Sequence, residues 1–497
     1  MSEYQGRATV DERREAAHRV SLGLRAPRRV PPIRSLAVGF VLAKAVVPYL
    51  WQSLRDKERA QEKLATRFRV AASRLGPAFV KLSQIIASGE GLFPKALVVE
   101  CGKLRDQAPA ESFAQVRATI EASFKTQLSE VFTSFEESPF AAASIAQVHR
   151  AVLRDGRQVV VKVQRSRARR QVERDIAALA FLAPRLVGRI PVAALANPPA
   201  LVSVFADTII EELDFVLEAH SMLEMANLLE TSNPSNPVVV PEPVMEWVTE
   251  QVLIMEELIG TTVSMADRAN LPANGTEVVR VLADTLLEGA LVHGVFHGDL
   301  HPGNLMVLAN GRVALLDFGI VERFDPAQRR AFVALVLNGV AGNWRGQLQA
   351  LQTLGAIPMD ADIEELGREM NLDAPPLDPL AVDPAVLADE LQRLAKALLA
   401  NGASLPRALM LWAKNLILLD QSVAILDPEW DLVGEITEIF TRFYSRWASE
   451  LAVDFGKPLE LSRDAVATSL ALPPGTDRMT WAQMRERREL IARRARA

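Results

Sequence analysis

His297-Gly298-Asp299-Leu300-His301-Pro302-Gly303-Asn304, followed closely by Leu316-Asp317-Phe318-Gly319, is the most informative stretch of this 497-residue chain. It sets out an Asp, an Asn five positions later and a second Asp in an apolar-flanked turn. Phosphoryl transfer needs a carboxylate to orient or deprotonate the acceptor and oxygen ligands to hold Mg²⁺ on the phosphates. Asp299 fits the first task. Asn304 and Asp317 fit the second, because Mg²⁺ prefers hard oxygen donors. Asp-Phe-Gly alone is a common turn; the octapeptide at this spacing before it is specific, and it implies ATP and Mg²⁺ as cofactors.

Working back along the chain, the remaining parts of a nucleotide site fall into order. Lys162 closes the run Val159-Val160-Val161-Lys162 and resembles the lysine of protein kinases that pairs with nucleotide phosphates. Such a lysine needs a carboxylate partner; Glu218 is the first choice, with Glu173 and Asp175 as rivals. Ile254-Met255-Glu256-Glu257-Leu258 stands at the hinge position, where backbone groups of Glu256 and Leu258 can meet an adenine edge. The phosphate loop is the unusual part. Ala141-Ala142-Ala143-Ser144 precedes the lysine strand, and no glycine occurs between Gly102 and Gly156. Alanine's Cβ penalises the positive φ that lets glycine amides approach phosphates. A different grip is expected, through backbone amides near Ser144 and its hydroxyl.

The local patterns describe a mixed fold. Helical periodicity runs from Asp56 to Leu128, interrupted at Gly76-Pro77 and Phe93-Pro94. Gln147–Leu153 and Gln158–Val163 read as strands joined by Arg154-Asp155-Gly156-Arg157, a hairpin turn. Helices are expected near Gln171–Leu186 and Glu211–Leu229, with a break at Asn197-Pro198-Pro199. Val238–Pro241 and Gln251–Glu256 read as further strands. Beyond them the chain is helical outside the motif region, with a proline-rich connection at Pro375–Pro384. Strands followed by helices argue for an α+β fold in two lobes. The expected parts are a basic tail and apolar segment (1–55), a helical extension (56–128), an N-terminal lobe (129–260), a helical C-terminal lobe (261–455) and a basic tail (456–497).

Composition narrows the setting. A formal net charge of −5 gives no case for nucleic acid. Arginines nevertheless crowd both ends, from Arg13 to Arg34 and from Arg485 to Arg496. Residues 1–34 read as a mobile basic tail, and such clusters beside apolar residues suit an anionic membrane surface or lipid. Cys101 is the single cysteine, which excludes an intrachain disulfide and suits a reducing, cytoplasmic location. Leu36–Leu54 is apolar but holds Lys44 and Pro48, so an interfacial or domain-packed helix is expected in preference to a membrane span. Leu405–Leu426, broken by Lys414, Asn415, Asp420 and Gln421, reads as a buried helix.

Several departures disfavour an ordinary Ser/Thr kinase. No Ser, Thr or Tyr lies between Ile320 and Arg345, and no Ala-Pro-Glu anchor follows. Gly298 stands where an arginine usually reads an activation-loop phosphate. From residue 70 to 345 the chain instead resembles the atypical, UbiB-type protein-kinase-like family, whose members support quinone-lipid biosynthesis. Lys81-Leu82-Ser83-Gln84 resembles its KxGQ segment, with Ser83 in place of glycine, and Leu104-Arg105-Asp106-Gln107-Ala108-Pro109 the stretch after it. Ser144-Ile145-Ala146-Gln147 is similar to its nucleotide loop, and Glu212-Leu213-Asp214-Phe215 to its ExD helix. The resemblance implies a kinase-like fold with a helical N-terminal extension laid across the active site. It also implies that Lys81 and Gln84 sit near the phosphates and contact Glu212 and Asp214. The expected function is a Mg²⁺-dependent ATPase serving isoprenoid-quinone or other lipid metabolism at a membrane surface, alongside quinone-biosynthesis proteins. A small-molecule or lipid phosphotransferase and an ATP-gated scaffold are the alternatives.

Overall fold

The computed structural model describes residues 9–25, 31–52, 54, 56–87, 95–104, 110–186, 198–232, 237–340, 342–373, 393, 397–398, 401–403, 406–455, 462–470, 472–473 and 475–494. The readings at Phe93-Pro94, Arg105–Pro109, Asn197 and Pro375–Pro384 lie outside these residues. The chain divides into two compact units: Met1–Asn227 with Val240–Ile259 and Leu316–Ile320, and Leu228–Val239 with Gly260–Leu315 and Val321–Ala497.

The first unit opens with helices where a mobile tail was expected. α1 (Val10–Arg25) packs on two later helices, and α2 (Pro32–Gln52) packs on α3 (Lys57–Leu75). The arginines explain the docking: Arg13 meets Asp214 at 3.0 Å and Glu250 at 3.1 Å, and Arg14 meets Glu224 at 3.4 Å. Arg25 is bonded to Asp207. Arg13, Arg14 and Arg25 are thus neutralised by the unit's own carboxylates. α3 is capped by Asp56, whose side chain accepts from the Arg59 amide, and it stops at Gly76, which holds φ 106°. α4 (Pro77–Ala87), α5 (Lys95–Gly102), α6 (Phe113–Phe124) and α7 (Leu128–Val131) follow.

The strands of this unit are β1 (Phe132–Phe135), β2 (Ala141–Ala142), β3 (Ala146–Leu153) and β4 (Gln158–Gln164). After them come α8 (Ala168–Leu186), α9 (Pro198–Glu212) and α10 (Phe215–Ser232). α9 begins with proline, whose fixed φ and missing N–H suit a first turn. The helix expected from Glu211 to Leu229 is therefore two helices. Asp214 breaks it by accepting the Val216 amide at 3.0 Å, so that α10 starts afresh. The strand read at Val238–Pro241 shortens to β5 (Val238–Val239) and belongs to the second unit's sheet, while β6 (Val252–Glu256) completes the first. The order is β1-β3-β4-β6, all antiparallel, with β2 alongside β3. Gly156, at φ 90°, makes the β3–β4 turn. Val159, Val161 and Val163 alternate into a core with Val116, Ile120, Val252 and Ile254. The strand period of two therefore turns Lys162 to the opposite face.

The second unit contains β7 (Gly260–Thr262), α11 (Gly275–Leu287), β8 (Val295–His297), β9 (Leu305–Leu308), β10 (Val313–Leu315) and β11 (Val321–Arg323). Its remaining helices are α12 (Pro326–Val340), α13 (Trp344–Thr353), α14 (Ile363–Glu369), α15 (Arg407–Leu426), α16 (Leu432–Phe455), α17 (Arg463–Ser469) and α18 (Trp481–Arg494). Helices α17 and α18 occupy the region expected to be a basic tail. Trp481 anchors α18 by donating to Asp420 at 2.8 Å, and Arg488 pairs with the same carboxylate. Small sheets run β5-β10-β9-β7 and β8-β11. α11 winds into a π-helical turn, Glu288–His293, just ahead of β8. A Cβ on Gly289 would stand 2.4 Å from the Val295 carbonyl oxygen, so glycine permits the close approach that sets β8 and the motif behind it.

Candidate functional site

In the first unit, two lysines and three carboxylates form one cluster, buried except at Asp317. Lys162 Nζ donates to Glu218 Oε1 at 2.7 Å and to Asp317 Oδ1 at 3.0 Å. Glu218, on the first turn of α10, is 3% exposed, whereas Asp317 has a side chain 48% exposed. Of the two rival carboxylates, Asp175 is bound by Arg34 at 2.5 Å, and Glu173 lies two residues before it on α8. Burial disfavours the Lys162 ammonium, but the charges of Asp317 and Glu218 outweigh it and hold its pKa above the ordinary value. Burial pushes the Glu218 carboxyl up to about 7 against the pull of Lys162. Asp317 holds φ 58°, a left-handed conformation uncommon for a non-glycine residue and often found where a side chain is aimed for function.

Lys81, on α4, meets Glu212 Oε1 at 2.8 Å, and burial raises the Glu212 pKa against that contact. A Cβ on Gly319 would come within 3.3 Å of both Asp317 Oδ1 and Glu212 Cγ. The glycine of Asp-Phe-Gly therefore lets the glutamate from α9 lie against the triplet, and Lys81 reaches the cluster through Glu212. Gln84 is one helical turn further along α4. Asp214 is placed differently: one oxygen caps α10 and the other is held by Arg13. Ser83 is fully buried, and its hydroxyl donates to the Phe79 carbonyl at 2.8 Å, so α4 accommodates the serine by an internal bond.

The alanine loop is a strand end and a tight turn. Ala141 and Ala142 pair with Val148 and Gln147, and the Ala143 amide donates to the Ala146 carbonyl at 2.8 Å. Ser144 is buried at the tip. In the hinge, the Glu256 amide is engaged by the Glu242 carbonyl at 2.9 Å, which leaves the amide of Leu258 as the better placed donor for a base. Behind the loop, His149 Nδ1–H donates to the Glu136 carbonyl and Nε2 accepts from Gln147, whose own oxygen accepts the Glu111 amide. This chain of bonds requires the neutral ring, and burial lowers the His149 pKa accordingly.

In the second unit, the octapeptide is stitched to itself and to α15. The Asp299 amide donates to His297 Nδ1 at 3.0 Å, and the Asn304 Nδ2 amide donates to the Asp299 carbonyl at 3.0 Å. That bond uses the amide nitrogen, so the side-chain oxygen is the atom of Asn304 with acceptor character for a cation. Asn415 is fully buried; it donates to the His297 carbonyl and accepts the Leu300 amide. Its neighbour Lys414 meets Asp299 Oδ1 at 3.0 Å. Sequence reading missed these two contacts, although Lys414 and Asn415 do interrupt an otherwise apolar helix. Lys414 supplies the positive charge beside Asp299 that His301 and Gly298, both within the motif, do not.

Asp317 in the first unit and Asn304 in the second each carry a hard side-chain oxygen of the kind that Mg²⁺ prefers.

Comparison with known proteins identifies the family. Residues 103–351 match the ABC1 atypical kinase-like domain. An uncharacterized protein of Mycobacterium tuberculosis is 33% identical over 428 residues, covering 84% of this chain and 86% of its own. A probable protein kinase UbiB of Azotobacter vinelandii is 29% identical over 408 residues, covering 80% and 73%. A solved Rv3197–erythromycin complex from Mycobacterium tuberculosis has a TM-score of 0.40 and 22% identity, covering 66% of this chain and 89% of that one. The chain belongs to the ABC1, UbiB-type family of atypical kinase-like proteins.

Proposed function

We propose that the protein is a Mg²⁺-dependent ATPase of the kinase-like type, serving isoprenoid-quinone or other lipid metabolism at a membrane surface. The observation that carries this reading is Lys162 held between Glu218 at 2.7 Å and Asp317 at 3.0 Å. Glu218 keeps the ammonium extended and charged, ready to pair with nucleotide phosphates. Asp317 and Asn304 are the residues to hold Mg²⁺, which when bound neutralises phosphate charge. Asp299, with Lys414 beside it, orients the attacking hydroxyl or water and takes its proton. Leu258 and the Glu256 carbonyl meet the adenine, and the Ala141–Ser144 turn covers the phosphates through its backbone. Glu212, with Lys81 bound to it, lies against the Asp317–Gly319 triplet, and we read this contact as favouring ATP turnover over protein phosphorylation.

The test follows γ-labelled ATP with Mg²⁺, with and without anionic liposomes, in wild type and Asp317→Asn. Free phosphate, raised by liposomes and reduced about 10²–10³-fold in the variant, is the expected result. Label on protein or lipid would make the protein a transferase. No variant-sensitive turnover would leave an ATP-gated scaffold.

A further inference from the structure

The arginines that sequence alone assigns to a membrane are mostly engaged, since Arg13, Arg14, Arg25 and Arg34 all meet carboxylates of the first unit. Among the described residues, available positive charge lies at the start of α8. A pocket of about 760 Å³ opens at the start of α8, and five of its nine lining residues are arginine. Arg34 is neutralised there by Asp175, and Arg169 donates to the Leu213 carbonyl at 2.9 Å. Arg167, Arg170 and Arg174 are exposed and, among the described residues, their guanidinium groups have no hydrogen-bond or ion-pair partner. Their spacing of three and then four puts them on one face around the start of α8. Glu173 is the one further acidic residue lining the pocket. Three unpaired guanidinium groups on a concave wall suit a phosphate, which accepts their fork-shaped donors in pairs.

A second, independent feature begins at the same pocket. α2, which contributes Arg34, buries Ser35, Val38, Leu42, Ala45 and Tyr49 on one side. Its opposite stripe is open: Ile33 is 84% exposed, Leu36 74%, Phe40 63% and Trp51 76%. Lys44 lies along that stripe with its ammonium 4.3 Å from the centre of the Phe40 ring. A continuous apolar ridge on a soluble surface marks an interaction site, and Trp, Phe and a snorkelling Lys are the residues of a membrane interface. Because one side of α2 is packed on protein, the helix suits lying in the plane of a bilayer and not crossing it.

We infer that the α8 arginines form a binding site for the phosphate headgroup of an anionic phospholipid, with the outer stripe of α2 seated at the acyl boundary. This inference rests on the membrane part of the proposed function and names its ligand. Each basic residue near an anionic surface is worth roughly a fivefold change in affinity, so removing three should cost about 10²-fold. The test is co-sedimentation of the full chain with phosphatidylcholine vesicles, with or without phosphatidylglycerol, in the absence of nucleotide. The variants are Arg167→Gln/Arg170→Gln/Arg174→Gln and, as a charge-matched control, Arg485→Gln/Arg487→Gln/Arg488→Gln. The expected result is phosphatidylglycerol-dependent binding lost about 10²-fold in the first and little changed in the second. Phe40→Ser/Trp51→Ser should weaken vesicle binding as well. Equal loss in both triple variants, or loss in neither, overturns the pocket as a site. Wild type that ignores both vesicles sinks the membrane reading itself. Pyrophosphate raising the melting temperature of wild type but not of the pocket variant, without vesicle binding, would assign a soluble phosphate compound and overturn the lipid. MgADP-induced stabilisation, retained in the pocket variant, shows that its loss of binding is not misfolding.

Discussion

Replacing Lys162 by methionine tests the buried cluster without relying on any activity. The substitution keeps most of the side-chain volume but leaves Glu218, almost wholly buried, without the ammonium 2.7 Å away. Removing one member of a buried ion pair usually costs about 3–5 kcal/mol, because the remaining charge stays desolvated. In a unit of this size, that amounts to a fall in melting temperature of roughly 10 °C. The pH dependence sharpens the argument. A carboxyl raised from 4.5 to about 7 binds more protons folded than unfolded in that window. Stability therefore falls as pH rises through the window and levels off above it. Without Lys162 the folded carboxyl titrates higher still, so the loss should be small near about pH 5, grow as pH rises through about 8, and reach its full size only above that higher pKa. Glu218→Gln on top of Lys162→Met should recover much of the loss and flatten its pH dependence. Thermal or urea unfolding at the two pH values measures both effects. A Lys162→Met loss that is equal at both values, or absent, would refute the account of the pair.

Two further outcomes follow from groups outside that pair. Lys414→Met removes a charge-assisted contact to Asp299 worth about 1.5–3 kcal/mol, so kcat for phosphate release should fall roughly 10–10²-fold with little change in the KM for ATP; unchanged kcat would show that Lys414 has no part in the chemistry. His149 must stay neutral to accept from Gln147, and its lowered pKa means that stability is lost as pH falls below its ordinary 6.5. Melting curves between about pH 7.5 and 5.5 should show that loss in wild type and a shallower slope in His149→Gln; parallel slopes would assign the acid sensitivity elsewhere.

What could be read in advance was whatever lay close together in the chain. The octapeptide carries its own hydrogen bonds, from Asp299 to His297 and from Asn304 to Asp299, so its chemistry is written in consecutive residues. The β3–β4 hairpin is equally local, and Lys162 follows from its register. Contacts across long stretches of sequence were not legible. Arg13 reaches Asp214, which made residues 10–25 a docked helix where charge alone suggested a free tail. The same Asp214 splits a continuous helical periodicity in two, because a side chain that caps one helix ends the one before it. β5 has only two residues and takes its place by parallel pairing with β10, a partner that no local pattern announces.

The contacts from α15 bear on how the catalytic loop is kept in shape. Where an ordinary kinase uses an arginine before the catalytic Asp to sense a phosphorylated activation segment, this chain has Gly298, and no Ser, Thr or Tyr between Ile320 and Arg345. The corresponding work falls to two adjacent residues of α15, a helix with only about a third of its apolar stretch buried. Asn415 ties the backbone on both sides of Asp299, at His297 and Leu300, and Lys414 holds its carboxylate. Both partners are permanent parts of the fold, with no covalent modification required to bring them in. The geometry of Asp299 is consequently as stable as the packing of α15, and phosphorylation within Ile320–Arg345 has no lever on it.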